Sequence, residues 1–339
     1  MARLEIPLDS AAQAPGLIDG FGRTISYLRV SVTDRCDLRC NYCMPKGFKG
    51  FEEPAHWMSH AEMARLIGLF VALGVTKVRL TGGEPLMRRG VDELAARITA
   101  LPQVSDLSLS TNATTLKRHA AKLKAAGVKR LNVSLDSLDP ARFAAITGRD
   151  CLADVLAGLA EARTVGFAPI KLNCVVSSDV PEQEILQLLG YALDNGFILR
   201  LIETMPMGST GQQFVHANLT RLGAQLAQRF GLVPAIDPSD TGPARYWTQG
   251  QGHPVLGVIT PMSQHFCEAC NRVRLTVDGT LHLCLGQDDA VPLGRMLRAG
   301  ASDAELTAAI HAGIAAKPER HEFTTKREQV VRFMSQTGG

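Results

Sequence analysis

Between Ser26 and about Glu203, short β-branched runs alternate with stretches whose apolar residues recur at helical spacing. That alternation predicts repeated βα units and a parallel sheet. Six strands are expected: Ser26–Val32, Lys77–Thr81, Asp106–Ser110, Arg130–Leu135, Ile170–Val176 and Ile198–Glu203. The intervening helices carry their own end signals. Ser59 is placed to cap a helix from about Ala61, Glu62 completes a capping box, and Gly74 stops it; Gly127, Gly166 and Gly196 end later helices in the same way. Six units with short connections point to an α/β fold, an incomplete (β/α)6 barrel of TIM type, whose ligands sit where the C-terminal strand ends and the following loops converge.

Beyond residue 205 the βα rhythm fades. A helix around Asn218–Phe230 precedes the loop Asp237–Gly242, rich in Pro, Asp and Gly, near which a domain boundary is expected, dividing 1–240 from 241–339. The remainder reads as a small C-terminal α+β domain with its own sheet: Ala244–Thr248, Val255–Thr260, a hairpin Val273–Leu285 turning at Asp278-Gly279, and a helix Ser302–Ala316.

Composition adds little to this outline and excludes some functions. Of 339 residues, 45% are hydrophobic and 20% charged, as in an ordinary globular protein. No apolar run reaches the roughly 18 residues that cross a bilayer, and Met1–Ser10 lacks a basic start followed by an apolar block, so a cytoplasmic protein is expected. A net charge of +3 is too small to argue for nucleic acid.

Six of the eight cysteines fall into two triplets, which in a reducing compartment are metal sites before they are disulfides. The other two stand alone, and Cys174, within an apolar strand, reads as a buried inert thiol. Cys36, Cys40 and Cys43 follow the first strand directly. Structural zinc and ordinary ferredoxin clusters take four protein ligands, whereas three cysteines on a four-iron cluster leave one iron open. A zinc knuckle completed by His56 or a distant residue is the competing reading.

The Cys-x3-Cys-x2-Cys spacing, with Tyr42 before the last cysteine, resembles the signature of the radical S-adenosylmethionine (SAM) superfamily. The resemblance implies that the open iron chelates SAM and that electron transfer cleaves it to a 5′-deoxyadenosyl radical. Thr81-Gly82-Gly83-Glu84-Pro85, in the loop after the second strand, is similar to the superfamily's Gly-Gly-Glu-Pro segment, and its glycines allow close backbone approach to a ligand. Carried over, Tyr42, Gly83, Ser134 and Met205 are the expected SAM contacts.

Cys267, Cys270 and Cys284 are again three. On ligand chemistry alone they suit zinc with His265 or His282 as a fourth ligand, or a second cluster with an open iron. Phe266-Cys267, Cys270-Asn-Arg272-Val-Arg274-Leu275, a third cysteine fourteen residues on, and the tail Gly338-Gly339 resemble the GTP 3′,8-cyclase family, a likeness running from about Ser26 to the C-terminus. It implies a second 4Fe-4S cluster that binds guanine at its open iron.

Lys77 and Arg79 lie two apart in a strand and share a face, and in a barrel one face of every strand looks inward. Unpaired cations there are costly, which argues for an anionic partner. Arg29, Lys171 and Arg200 in three other strands, with Arg272 and Arg274 beside the second triplet, complete a possible triphosphate cage; individually, solvated or salt-bridged cations would explain each of them. No Walker-type phosphate loop occurs. The resemblance assigns these seven residues to GTP, with Ser110 in place of the usual Thr, and makes Gly338 and Gly339 assist catalysis, whereas the sequence alone reads them as a frayed end.

The implied reaction is abstraction of the ribose 3′ hydrogen of GTP and attack of the carbon radical on C8 of guanine, giving (8S)-3′,8-cyclo-7,8-dihydroguanosine 5′-triphosphate, the first step of molybdopterin synthesis. SAM and two 4Fe-4S clusters are the implied cofactors. An external electron donor and a downstream cyclic pyranopterin monophosphate synthase are the implied partners, with monomer and homodimer both open. The rivals are a radical SAM peptide-modifying enzyme with an auxiliary cluster, and a non-catalytic iron-sulfur or zinc protein.

Overall fold

The structure, a computed structural model, describes residues 16–44, 54–214, 217–235, 242–250, 252–323 and 332–338. Of the expected features, Gly339 and all of the boundary loop except Gly242 lie outside the described residues. Twelve strands are seen among them: β1 (Tyr27–Ser31), β2 (Lys77–Thr81), β3 (Asp106–Thr111), β4 (Arg130–Ser134), β5 (Ile170–Val176), β6 (Ile198–Glu203), β7 (Val233–Pro234), β8 (Ala244–Thr248), β9 (Pro254–Ile259), β10 (Arg272–Leu275), β11 (Thr280–His282) and β12 (Ala290–Pro292). β1 to β6 are parallel neighbours in sequence order, as the βα rhythm predicts.

One expectation is corrected. The later strands do not make a sheet of their own but extend the same sheet at both edges: β9 pairs parallel with β6, and β10 pairs parallel with β1. The edges of a six-stranded parallel sheet carry unpaired N–H and C=O groups, and the late strands satisfy them. The fold remains an incomplete barrel, with β1 brought beside the segment that bears the second cysteine triplet.

Helix ends follow the chemistry read from the sequence. Ser59 caps the helix His60–Ala72 in a full capping box with Glu62, as expected, and the structure adds a second box, Ser302 with Glu305, at Asp303–Ala315.

Residue parity within the strands separates core from site. Leu28, Val30, Val78, Leu80, Leu107, Leu109, Leu131, Val133, Leu172 and Leu199 belong to one continuous buried apolar core. The alternate positions hold Tyr27, Arg29, Lys77, Arg79, Asp106, Arg130, Lys171, Asn173 and Arg200, all of which line one cavity. A strand buried on both faces would read as an unbroken apolar run. The polar alternation here marks a lumen built to hold something charged.

Candidate active site

That cavity encloses about 810 Å³, within the range of small-molecule sites. All seven cations singled out in the sequence line it, as do Cys267, Cys270 and Cys284 and the residue Met205. The strand register explains their convergence. Arg274, Arg29 and Arg79 are Cα partners across β10, β1 and β2, so three guanidiniums form a row perpendicular to the strands. One step below, Arg272, Tyr27 and Lys77 form a second row.

The cations differ in how they are held. Arg200 donates through Nε to Asn173 Oδ1 at 2.9 Å and through Nη2 to Asn132 Oδ1 at 2.6 Å, so neutral amides fix it without cancelling its charge. Arg79 donates to Ser108 Oγ at 3.2 Å and lies over the Tyr27 ring, and Lys171 donates to the Tyr246 hydroxyl at 2.8 Å. Arg29 is only 8% exposed, yet its Nε and Nη2 have no hydrogen-bond partner among the described residues. Burial, then Arg274 and Arg79, push Arg29 well below the usual guanidinium range; burial chiefly lowers Arg79 and Arg274 to about 10. Buried donors without acceptors beside other cations make this an anion site.

The first triplet is held by hydrogen bonds from three directions. Asn112 Nδ2 and Thr114 Oγ1 both donate to the Asp37 carboxylate at 2.8 Å, and Arg149 Nη1 reaches it at 3.0 Å. The Leu38 amide donates to Cys36 Sγ at 3.4 Å, and the Ser335 amide donates to Cys43. Burial pushes all three thiols up, Cys43 to about 12, so thiolates persist there only with compensating positive charge. Backbone donors aimed at sulfur in a pocket that needs a cationic centre fit an iron-sulfur cluster.

The paired glycines serve a purpose that the sequence reading missed. A Cβ on Gly82 would lie 2.2 Å from the Thr33 carbonyl oxygen, and one on Gly83 would lie 2.2 Å from that of Arg35. The approach that requires glycine is therefore to the cysteine loop itself, sealed by bonds from Gly83 N to Thr33 O at 2.9 Å and from Glu84 N to Arg35 O at 2.7 Å. The Glu84 carboxylate accepts from Leu86 N, Thr111 Oγ1 and Asn112 N, joining this loop to the end of β3, while burial raises it to about 7. Tyr42 donates to Asp136 Oδ2 at 2.7 Å, and Ser134 is exposed at the end of β4. Among the described residues Tyr42, Gly83, Ser134 and Ser110 do not line the cavity; the Ser110 hydroxyl is buried without a partner.

The second triplet also receives backbone donors, from His321 to Cys267 and from Gly286 to Cys284. Burial pushes the Cys270 thiol up, but Lys317 and then Arg272 outweigh it and bring it below its usual value. His282, one of the alternative zinc ligands, has its Nδ1 against the Arg332 guanidinium, and burial and that guanidinium lower it to about 4. A cation on the ring makes it a poor metal ligand, which weakens one of the two candidate fourth ligands for zinc, while three thiolates suit a cluster with an open iron.

Of residues 332–338, Met334 lines the cavity. Arg332 donates to the Leu285 carbonyl at 3.3 Å, Gly338 has φ +75°, and a Cβ there would lie 2.3 Å from Thr81 Cγ2. Arg274 donates to the carbonyls of Thr337, at 3.0 Å, and Gly338. The segment is seated, not frayed. The site also includes Tyr27, Asp106, Ser108 and the Asp106-paired Arg130, which the sequence reading overlooked. Their strand parity was the available signal. Lys317, which follows a helix, carried none.

Two family descriptions match the chain: the radical SAM superfamily over residues 30–192 and Molybdenum Cofactor Synthesis C over residues 197–323. The chain is 46% identical to GTP 3′,8-cyclase 2 of Pseudomonas aeruginosa over 328 residues, covering 95% of this chain and 98% of that protein. It is 46% identical to a GTP 3′,8-cyclase of Caulobacter vibrioides over 349 residues, covering 98% and 99%. Among solved structures, SuiB of Streptococcus suis bound to S-adenosylmethionine superposes with a TM-score of 0.63 at 16% identity, over 88% of this chain and 68% of that one. At that identity the likeness speaks to the fold alone.

Proposed function

This chain belongs to the GTP 3′,8-cyclase family of radical SAM enzymes, and on that premise we propose that its cation-lined cavity holds GTP, with guanine at the second triplet and the triphosphate along the arginine row. The enzyme converts GTP to (8S)-3′,8-cyclo-7,8-dihydroguanosine 5′-triphosphate in the first step of molybdenum cofactor biosynthesis. Its cofactors are SAM and two 4Fe-4S clusters. When bound, SAM and a reduced cluster supply a 5′-deoxyadenosyl radical that makes an unactivated C–H bond reactive.

Cys36, Cys40 and Cys43 would hold the first cluster, and Cys267, Cys270 and Cys284 the second. Tyr42, Gly83, Ser134 and Met205 are assigned to SAM; Arg29, Lys77, Arg79, Ser110, Lys171, Arg200, Arg272 and Arg274 to GTP. The observation that carries this reading is Arg29: a buried guanidinium with unpartnered donors, between two further guanidiniums, demands a polyanion. Arg200, held by Asn132 and Asn173, presents its charge in a fixed place, which orients a phosphate without reorganisation. The tail is seated with Gly338 against Thr81 and with Met334 on the cavity lining, which supports a role for it beside the substrate.

The division of labour between residues 1–240 and 241–339 is part of this proposal, as are an external electron donor, a cyclic pyranopterin monophosphate synthase that receives the product, and a cytoplasmic location. Among the described residues no helix is long and apolar enough to cross a membrane. The test is an anaerobic assay of reconstituted protein with SAM, dithionite and GTP, following 5′-deoxyadenosine and cyclised nucleotide by mass spectrometry. Both products, with roughly eight irons per chain, are expected. GTP left intact beside 5′-deoxyadenosine would sink the substrate and leave the radical chemistry.

A further inference from the structure

Lys317 lies just beyond the helix Asp303–Ala315 and is only 2% exposed. Its Nζ donates to the carbonyl of Leu283, the residue before Cys284, at 2.6 Å, and it lines the cavity together with all three cysteines of the second triplet. Among the described residues no Asp or Glu pairs with it. A buried ammonium without a carboxylate needs negative charge from elsewhere. The negative charge at hand is that of the sulfurs.

The ammonium is also held in place from behind. Arg23, fixed through Nε to Asp19 Oδ2 at 2.6 Å, donates to the carbonyls of Cys267 at 2.8 Å, Glu319 at 2.6 Å and Pro318 at 2.7 Å. One guanidinium thus ties a cysteine of the triplet to the two residues that follow Lys317. Arg272 and Arg274 stand in the cation rows on β10, and Arg274 donates to the tail carbonyls of Thr337 and Gly338. Lys317 instead bonds the backbone of the hairpin that carries Cys284.

We propose that Lys317 is a positioning residue for the second cluster, a fixed buried cation that stabilises its three-thiolate ligation and raises its reduction potential. The inference rests on reading Cys267, Cys270 and Cys284 as cluster ligands. The physical basis is that reduction adds one negative charge to a cluster, and a nearby fixed positive charge in a low-dielectric pocket favours the more negative state.

The test compares reconstituted wild type, Lys317→Arg and Lys317→Gln by iron content and by a redox titration of both clusters followed by electron paramagnetic resonance, without GTP. The second cluster of Lys317→Gln should titrate at a more negative potential. Lys317→Arg should stay near wild type, and the first cluster should not move in either variant. Loss of the second cluster's iron in Lys317→Gln but not in Lys317→Arg would also support the role. An unchanged midpoint in Lys317→Gln at full iron content overturns it, as do equal shifts in both variants, a parallel shift of the first cluster, or loss of iron in both. A wild-type protein that takes up only one cluster would instead overturn the reading of the triplet, and the inference with it.

Discussion

Arg29 and Arg274 are Cα partners on the parallel strands β1 and β10, two buried guanidiniums side by side, with Arg79 completing the row on β2. Like charges on neighbouring strands oppose folding. Arg29→Gln should therefore leave the melting temperature of the ligand-free protein unchanged or raised while weakening GTP binding about tenfold or more, since a hydrogen bond to a charged group is worth roughly 1.5–3 kcal/mol. Calorimetric titration with GTP and a thermal melt check both halves. A lower melting temperature with intact affinity would make Arg29 structural.

Gly83→Ala should disturb the protein before any ligand is added. The new Cβ would meet the Arg35 carbonyl oxygen at 2.2 Å, a backbone atom that cannot swing aside. Overpacking of this kind costs about 1–3 kcal/mol, so the variant should melt lower and retain less iron at the first cluster. Normal stability with loss of SAM binding alone would restore the view that this glycine serves only the ligand.

Glu84 links stability to pH. Its folded-state value is raised from the usual carboxylate range to about 7, chiefly by burial, so the folded state holds the proton more tightly than the unfolded state between about 4.5 and 7. The stabilisation is complete below the lower value and disappears as pH rises through the upper, up to about 3 kcal/mol in all. Denaturant melts of the iron-free protein from pH 5 to 8 should show this decline. Glu84→Gln should flatten it and lower stability at the acid end, because an amide nitrogen cannot accept from Asn112 N as Glu84 Oε2 does.

Gly338→Ala tests the seated tail. Its φ of +75° disfavours any side chain, and the added Cβ would lie 2.3 Å from Thr81 Cγ2. Displacing the tail should lower the yield of cyclised nucleotide per 5′-deoxyadenosine formed, with little change in melting temperature. An unchanged product ratio would remove the tail from the reaction.

What the sequence determined by itself is local. Cys36, Cys40 and Cys43 fall within eight residues after a strand, so their spacing alone offers them as one ligand set, and strand parity put Lys77 and Arg79 on the face that now lines the cavity. Caps at Ser59 and Ser302 act within one turn and were equally readable in principle. The tertiary structure decided which distant groups meet. It paired β9 with β6 and β10 with β1 in one sheet where a separate one was expected, and it showed that Gly82 and Gly83 are shaped by the cysteine loop. It also set Arg23 on the carbonyl of Cys267, 244 residues away, and Lys317 on that of Leu283. Periodicity records which side of its own element a residue faces; the contact across the fold depends on how the elements pack, and no local pattern encodes that.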